Sequence, residues 1–131
     1  EIRLPGTGGG NDIASLTQMI VVMKHERRRF VDKVDFITSP GFMAGGSSRS
    51  DSGLQMGGMY RVITDLAILD FDDTTRLMKV RALHPGISAK EVRDNTGFDI
   101  HIDDTPNVTK PPTALELATL RHLDPKKIYT A

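Results

Sequence analysis

Hydrophobic positions along the chain gather in short runs cut apart by glycine, proline and charge, which predicts alternating strands and helices. The run Met19-Ile20-Val21-Val22-Met23 has strand length and no polar face, so a buried parallel strand is expected there. A charged stretch, Lys24-His25-Glu26-Arg27-Arg28-Arg29-Phe30, separates it from a second apolar segment, Val34-Asp35-Phe36-Ile37-Thr38, which stops at the turn residues Ser39-Pro40-Gly41. Residues 61–64 and 66–71 read as further strands. Asp72-Asp73-Thr74-Thr75 then turns the chain, and residues 77–83 return with apolar–polar alternation, the pattern of a β-hairpin.

Helix signals fill the remaining positions. Residues 12–17 form a short expected helix ahead of the first strand. Ser88-Ala89-Lys90-Glu91 has capping-box spacing, with Glu91 able to reach back to Ser88, and Gly97 supplies a C′ stop, so a helix is predicted over 89–96. Residues 98–102 suggest another strand and residues 106–112 a linker or turn. Thr113-Ala114-Leu115-Glu116 is a second capping box, opening a last helix to about His122 that Asp124-Pro125 ends. No internal repeat is evident.

Composition narrows the class. At 131 residues the chain has one domain's worth of core, able to bury about two-thirds of its unfolded surface. It has no cysteine, which agrees with a reducing cytoplasm and excludes a disulfide framework, a Cys-type zinc site and a thiol nucleophile within these residues. No apolar run reaches membrane-spanning length, and residues 1–10 carry no signal-peptide core; a soluble intracellular protein is expected. Seventeen basic against seventeen acidic side chains leave no global field for nucleic acid or an anionic membrane, and five Phe and two Tyr offer little base stacking. The four histidines, His25, His84, His101 and His122, lack metal-ligand spacing, so no metal site is expected.

Two stretches have ambiguous roles. Residues 41–58 hold Gly41, Gly45, Gly46, Gly53, Gly57 and Gly58 among serines and are expected to be a long surface loop, either flexible filler or a lid. Asp70, Asp72 and Asp73 lack the glycine and terminal glutamate of a calcium loop and read as turn formers.

The candidate chemistry lies in Pro5-Gly6-Thr7-Gly8-Gly9-Gly10-Asn11-Asp12-Ile13-Ala14. Glycine has no Cβ, so this segment can bring backbone amides close to an anion. Asn11 or Asp12 is expected to cap the following helix, aiming free N–H groups and the positive dipole end at the loop. The spacing is neither a dinucleotide fingerprint nor a Walker loop, and a plain turn before a helix would look the same locally.

The order of signals adds to this reading. The segments Gly6-Thr7-Gly8-Gly9-Gly10-Asn11-Asp12-Ile13-Ala14, His25-Glu26-Arg27-Arg28-Arg29-Phe30 and Lys33-Val34-Asp35-Phe36-Ile37-Thr38-Ser39-Pro40-Gly41 are followed by Val62-Ile63-Thr64-Asp65, His84-Pro85-Gly86 and Asp94-Asn95-Thr96-Gly97-Phe98-Asp99. Together they resemble the later half of the beta subunit of glutaconate CoA-transferase and its relatives among the class I CoA-transferases. The resemblance covers nearly the whole chain, and residues 1–131 are expected to be the C-terminal part of a single beta-subunit domain.

That resemblance implies an α/β fold, the CoA-transferase (NagB/RpiA-like) fold: an open, largely parallel sheet flanked by helices, with a β-hairpin. It also implies a hetero-oligomer of alpha and beta subunits with the active site near their junction, no permanently bound cofactor, and a coenzyme A thioester as substrate. In the family a glutamate carboxylate attacks an acyl-CoA, and acyl group, CoA and acceptor acid exchange through anhydride and glutamyl-CoA intermediates. Carried over by position, the amides of Gly9 and Gly10 stabilise the oxyanion. Gly6, Thr7, Gly8, Asn11 and Asp12 are candidate substrate-binding residues, and Arg27 and Arg28, in a short basic run that otherwise reads as a solvated face, are candidates to reach the CoA phosphates. A side chain at Gly10 is expected to intrude on the thioester while sparing the fold.

The family's nucleophilic glutamate is expected before Glu1, so the chain reads as the later part of something longer. Glu26 belongs to a separate element and takes a salt-bridge or capping role. Same-fold decarboxylases of branched glutaconyl-CoA thioesters and hydrolases of ring-bearing CoA thioesters lack that glutamate and remain alternatives, as does a non-catalytic scaffold fragment.

Overall fold

A computed structural model describes residues 6–128, so Pro5 of the glycine segment lies outside the described residues. The elements follow the order α1 (Gly8–Leu16), β1 (Gln18–Val22), α2 (Ser48–Asp51), β2 (Gly58–Ile63), β3 (Ala67–Phe71), β4 (Met78–Leu83), α3 (Ala89–Asp94), β5 (Asn107–Val108) and α4 (Ala114–Leu123). The five strands make one open sheet in the order β1-β2-β3-β4-β5.

The α/β class and the β3–β4 hairpin agree with the sequence reading, but the sheet is mixed where a largely parallel one is expected. β1 pairs β2 and β4 pairs β5 in parallel, whereas β2–β3 and β3–β4 are antiparallel. Connection length explains the mixture: short turns join β2 to β3 and β3 to β4, and a short turn can only reverse a strand. β1 is parallel as expected yet lies on the sheet edge, with Ile20 56% and Val22 76% exposed.

Three further expectations are corrected. Residues 34–38 form no strand; Val34, Phe36, Ile37 and Thr38 instead wall a cavity with Met59 and Phe71. Residues 98–102 contribute a single bridge, Lys79 to His101, while β5 forms inside the expected linker. Residues 41–58 contain the short helix α2 and a buried arginine, Arg49.

The core joins Val62, Leu69, Val80 and Leu83 of the sheet to Val92 of α3 and to Phe30, Ile100 and Ile102. Local codes act at the helix ends. Ser88 Oγ accepts from the Glu91 amide at 3.2 Å, but the reciprocal half of that box does not form among the described residues. Thr113 makes both halves, accepting from Glu116 N–H at 3.2 Å while its own N–H donates to Glu116 Oε2 at 2.7 Å. Gly97 is needed for a different reason than a C′ stop: α3 ends at Asp94, and the Gly97 N–H donates to Phe30 O at 2.6 Å, where a Cβ would lie 2.5 Å from that oxygen.

Buried His25 ties the end of β1 to the rest of the core. Its backbone N–H donates to Asp65 Oδ1 at 2.7 Å and its ring stacks on Phe30 at 4.2 Å between centroids. Thr96 Oγ1 commits its proton to Val92 O, so it accepts from the His25 Nε2–H at 3.0 Å. Thr64 Oγ1 accepts from the Leu66 and Ala67 amides, donates to Ala67 O at 2.9 Å and lies 3.1 Å from His25 Nδ1. The Thr96 bond thus places a proton on Nε2. Burial lowers the pKa of the ring and so favours its neutral form, with Asp65 opposing.

Candidate functional site

Helix α1 begins four residues earlier than the cap signals suggest, so Gly8, Gly9 and Gly10 form its first turn. Thr7, not Asn11 or Asp12, is the N-cap, and its side chain makes no capping bond. Asn11 points along the helix, where Ser15 Oγ donates to its Oδ1 at 3.0 Å, and Asp12 lies exposed in the next turn. Glycine disfavours a helix interior, but the orphan amides of a first turn are where its small size brings backbone close to a ligand.

The first intrahelical bond runs from Asn11 N–H to Thr7 O at 3.2 Å, so the amides of Gly8, Gly9 and Gly10 all precede the ladder. No acidic side chain sits in the first turn, leaving the positive dipole end uncompensated within the helix. A Cβ built on Gly8 or Gly9 meets nothing within 4 Å, so open space lies beside these two residues. This arrangement can accept a carbonyl oxygen and gains strength as charge develops on it.

Gly10 differs. A Cβ there would lie 2.6 Å from Thr7 Oγ1 and 3.3 Å from Ser39 Oγ, because those hydroxyls meet across it at 3.4 Å. A side chain at Gly10 must therefore displace the exposed Thr7 hydroxyl. Gly6, at φ 78°, takes the left-handed turn leading into Thr7 and packs on Thr38.

The structure does not join Arg27 or Arg28 to this terminus by any hydrogen bond or ion pair among the described residues. Glu26 Oε2 accepts from Arg28 Nε and Arg29 Nε, each at 2.8 Å, and the two guanidinium groups hold its carboxyl below the usual range. Glu26 thus has the salt-bridge role assigned to it. Arg27 and Arg28 are exposed.

The acidic cluster is a turn and a solvated ion-pair face. Asp72 Oδ1 accepts from the amides of Thr75 at 2.8 Å and Thr74 at 3.0 Å, bonds that pull its pKa to about 2. Asp70 pairs with Arg61 at 2.7 Å and Arg81 at 3.2 Å. No group of three or more metal-ligating side chains occurs among the described residues. No helix among them is long and apolar enough to cross a membrane.

Beside α1, a cavity of about 420 Å³ is bounded by Phe36, Ile37, Phe42, Met59 and Phe71, with Thr38 and Ser39 in its wall. None of its lining residues is charged. Sequence reasoning missed Arg49, which lies among glycines and serines and has no periodic or motif signal. It donates to the carbonyls of Ala14 and Ser15 in the last turn of α1.

Residues 1–95 match the family model for coenzyme A transferase. The chain is 37% identical over 130 residues to the B subunit of glutaconate CoA-transferase from Acidaminococcus fermentans, covering 98% of this chain and 49% of that protein. It is 39% identical over 125 residues to the B subunit of 3-oxoadipate CoA-transferase from Pseudomonas knackmussii, covering 95% and 48%. It is also 32% identical over 120 residues to the cholesterol ring-cleaving hydrolase IpdB subunit of Mycobacterium tuberculosis, covering 91% and 47%. The crystal structure of Acidaminococcus fermentans glutaconate coenzyme A-transferase aligns with a TM-score of 0.90 at 35% identity, over 100% of this chain and 51% of that one. The chain spans about half the length of the relatives it matches.

Proposed function

Because this chain belongs to the coenzyme A transferase family, we propose that α1 supplies the oxyanion donors of a CoA-transfer site in a beta subunit. Residues 1–131 are then the C-terminal part of that subunit, working in the cytoplasm with an alpha subunit. The observation that carries the reading is the uncapped first turn of α1, with open space beside Gly8 and Gly9.

The chemistry follows from donors placed where negative charge grows. A glutamate carboxylate supplied from outside these residues attacks the thioester carbonyl carbon, and the oxygen takes up negative charge against the Gly9 and neighbouring amides. The tetrahedral adduct then expels CoA thiolate and leaves a mixed anhydride. Thiolate attack on the glutamyl carbonyl releases the donor acid and forms glutamyl-CoA, and the acceptor acid reverses the sequence. Each aligned donor is worth about 3 kcal/mol in such a site. The substrate class is a short-chain acyl-CoA with a carboxylic or dicarboxylic acceptor, as the names of the two transferase relatives suggest.

The test is CoA transfer to glutaconate and to 3-oxoadipate by the complete beta subunit paired with its alpha subunit. Gly9→Val should cut turnover by about 100-fold or more while leaving the unfolding midpoint in place. Near-normal turnover would remove α1 from the site. The ring-cleaving hydrolase relative keeps a second reading, hydrolytic opening of a ring in a CoA thioester. Water-dependent ring opening of a cyclic acyl-CoA, with the thioester kept and no acceptor acid needed, would favour it.

A further inference from the structure

Arg49 is 7% exposed, yet no carboxylate among the described residues lies within ion-pair distance of it. Its two terminal nitrogens donate to carbonyl oxygens alone. Nη1 donates to Pro40 O at 3.1 Å and Gly41 O at 3.0 Å; Nη2 donates to Ala14 O at 2.9 Å, Ser15 O at 3.1 Å and Met56 O at 2.6 Å. Nε is buried without a partner among the described residues. Burying a cation this way is costly, and a residue that only filled space would be apolar.

The acceptors belong to segments that border α1. Ala14 and Ser15 are in its last turn, where carbonyls lack helical partners and a cation meets the negative end of the dipole. Pro40 and Gly41 continue directly from Ser39, whose hydroxyl meets the N-cap residue Thr7 at the other end of the helix. Met56 leads into β2, beside the Gly58 N–H that donates to Thr17 O at 3.2 Å. One guanidinium thus grips the C-terminus of α1 and the strand of loop that touches its N-terminus.

The platform under Arg49 is rigid for its composition. Ser47 Oγ donates to Asp51 at 2.7 Å, Ser50 Oγ to Ser47 O at 2.8 Å and Ser52 Oγ to Ser48 O at 2.9 Å, so the serines brace α2. Gly46 N–H donates to Thr75 O at 2.8 Å, anchoring the platform to the β3–β4 turn. A Cβ at Gly45 would lie 2.5 Å from that same oxygen.

From this geometry we infer that Arg49 is the positioning residue of the oxyanion site, holding α1 in register with the sheet so that the Gly8–Gly10 amides keep their aim. The inference rests on the proposed role of α1. Lysine cannot replace it, because a single ammonium has neither the reach nor the planar fork to serve all these acceptors. The 41–58 stretch is then neither filler nor a lid but the mount for this side chain.

The complete beta subunit, paired with its alpha subunit, is compared as wild type, Arg49→Lys, Arg49→Met and Gly9→Val. Arg49→Lys and Arg49→Met should lower kcat by about 100-fold with KM for acyl-CoA within about 3-fold, as expected when donors are misplaced by about an ångström. A kcat per folded molecule within about 3-fold of wild type, or a raised KM at unchanged kcat, overturns the inference. If Gly9→Val also leaves turnover intact, the oxyanion reading itself falls; if only the Arg49 variants are active, the positioning role alone falls. Amide exchange on the unmodified protein keeps the test open should the variants fail to fold. The amides of residues 12–16 should lose protection in the same opening as those of Gly46 and Ser48, and an α1 that opens while the platform stays protected overturns the inference.

Discussion

The β3–β4 hairpin with α3 and the α1–β1 unit are held by opposite means. In the first, Leu69, Val92 and Ile100 are fully buried and the sheet turns its apolar face onto them. In the second, Ala14 alone is buried, while Ile13, Leu16, Ile20 and Val22 are each more than half exposed. Packing surrounds the hairpin, whereas the last turn of the glycine helix is bonded through its carbonyls to one arginine. A first turn of bare glycines has no side chains to pack, so a polar clamp at the far end is one of the few ways to fix it without filling the space beside it.

A short series of variants and one titration sharpen that contrast. Leu69→Ala should cost the complete beta subunit about 2–5 kcal/mol in denaturant unfolding, with turnover per folded molecule unchanged. A loss of turnover in the folded fraction would tie the two regions together more closely than the structure does. Gly9→Val should do the reverse, losing about 100-fold in turnover at unchanged stability, and Gly10→Val should also lose turnover once its side chain displaces the Thr7 hydroxyl.

The titration concerns His25. Its folded-state pKa is depressed below the ordinary 6.5, chiefly by burial, so the neutral ring contributes its full stability above 6.5 and loses it as pH falls through the folded value. The unfolding midpoint should decline over that window, and His25→Gln should flatten the decline. A separate loss is expected lower, from 3.8 toward 2, as Asp72 gains its proton and gives up the turn amides. Thr113→Ala should cost about 1 kcal/mol through its lost capping box, read by denaturant unfolding. The smallest effect is expected at the surface: Arg27→Gln with Arg28→Gln should raise KM for acyl-CoA by no more than about 5-fold, the equivalent of roughly 1 kcal/mol. An unchanged KM returns both residues to a solvated face.

Much of the fold was legible where a few neighbouring residues decide the outcome. Thr113 and Glu116 form the box their spacing implies, Ser88 forms half of its own, and Asp72 makes the turn read from its cluster. The glycine segment was legible as an anion cradle in composition but not in register, since the helix starts at Gly8 rather than after Asn11. Asn11 and Asp12 carry cap chemistry that placed the helix start after the glycines, whereas Thr7 occupies the N-cap.

By itself, then, the amino-acid sequence determined the N-caps of α3 and α4, the hairpin turn, the lack of any thiol in these residues and, through the order of its motifs, the family. Only the tertiary structure decided that the sheet is mixed, that Val34, Phe36, Ile37 and Thr38 wall a cavity, that Gly10 and Gly97 are close-approach positions, and that Arg49 holds the helix. Each of these depends on atoms brought together from distant parts of the chain, as Arg49 is with Ala14, and a local pattern encodes nothing about a partner 35 residues away.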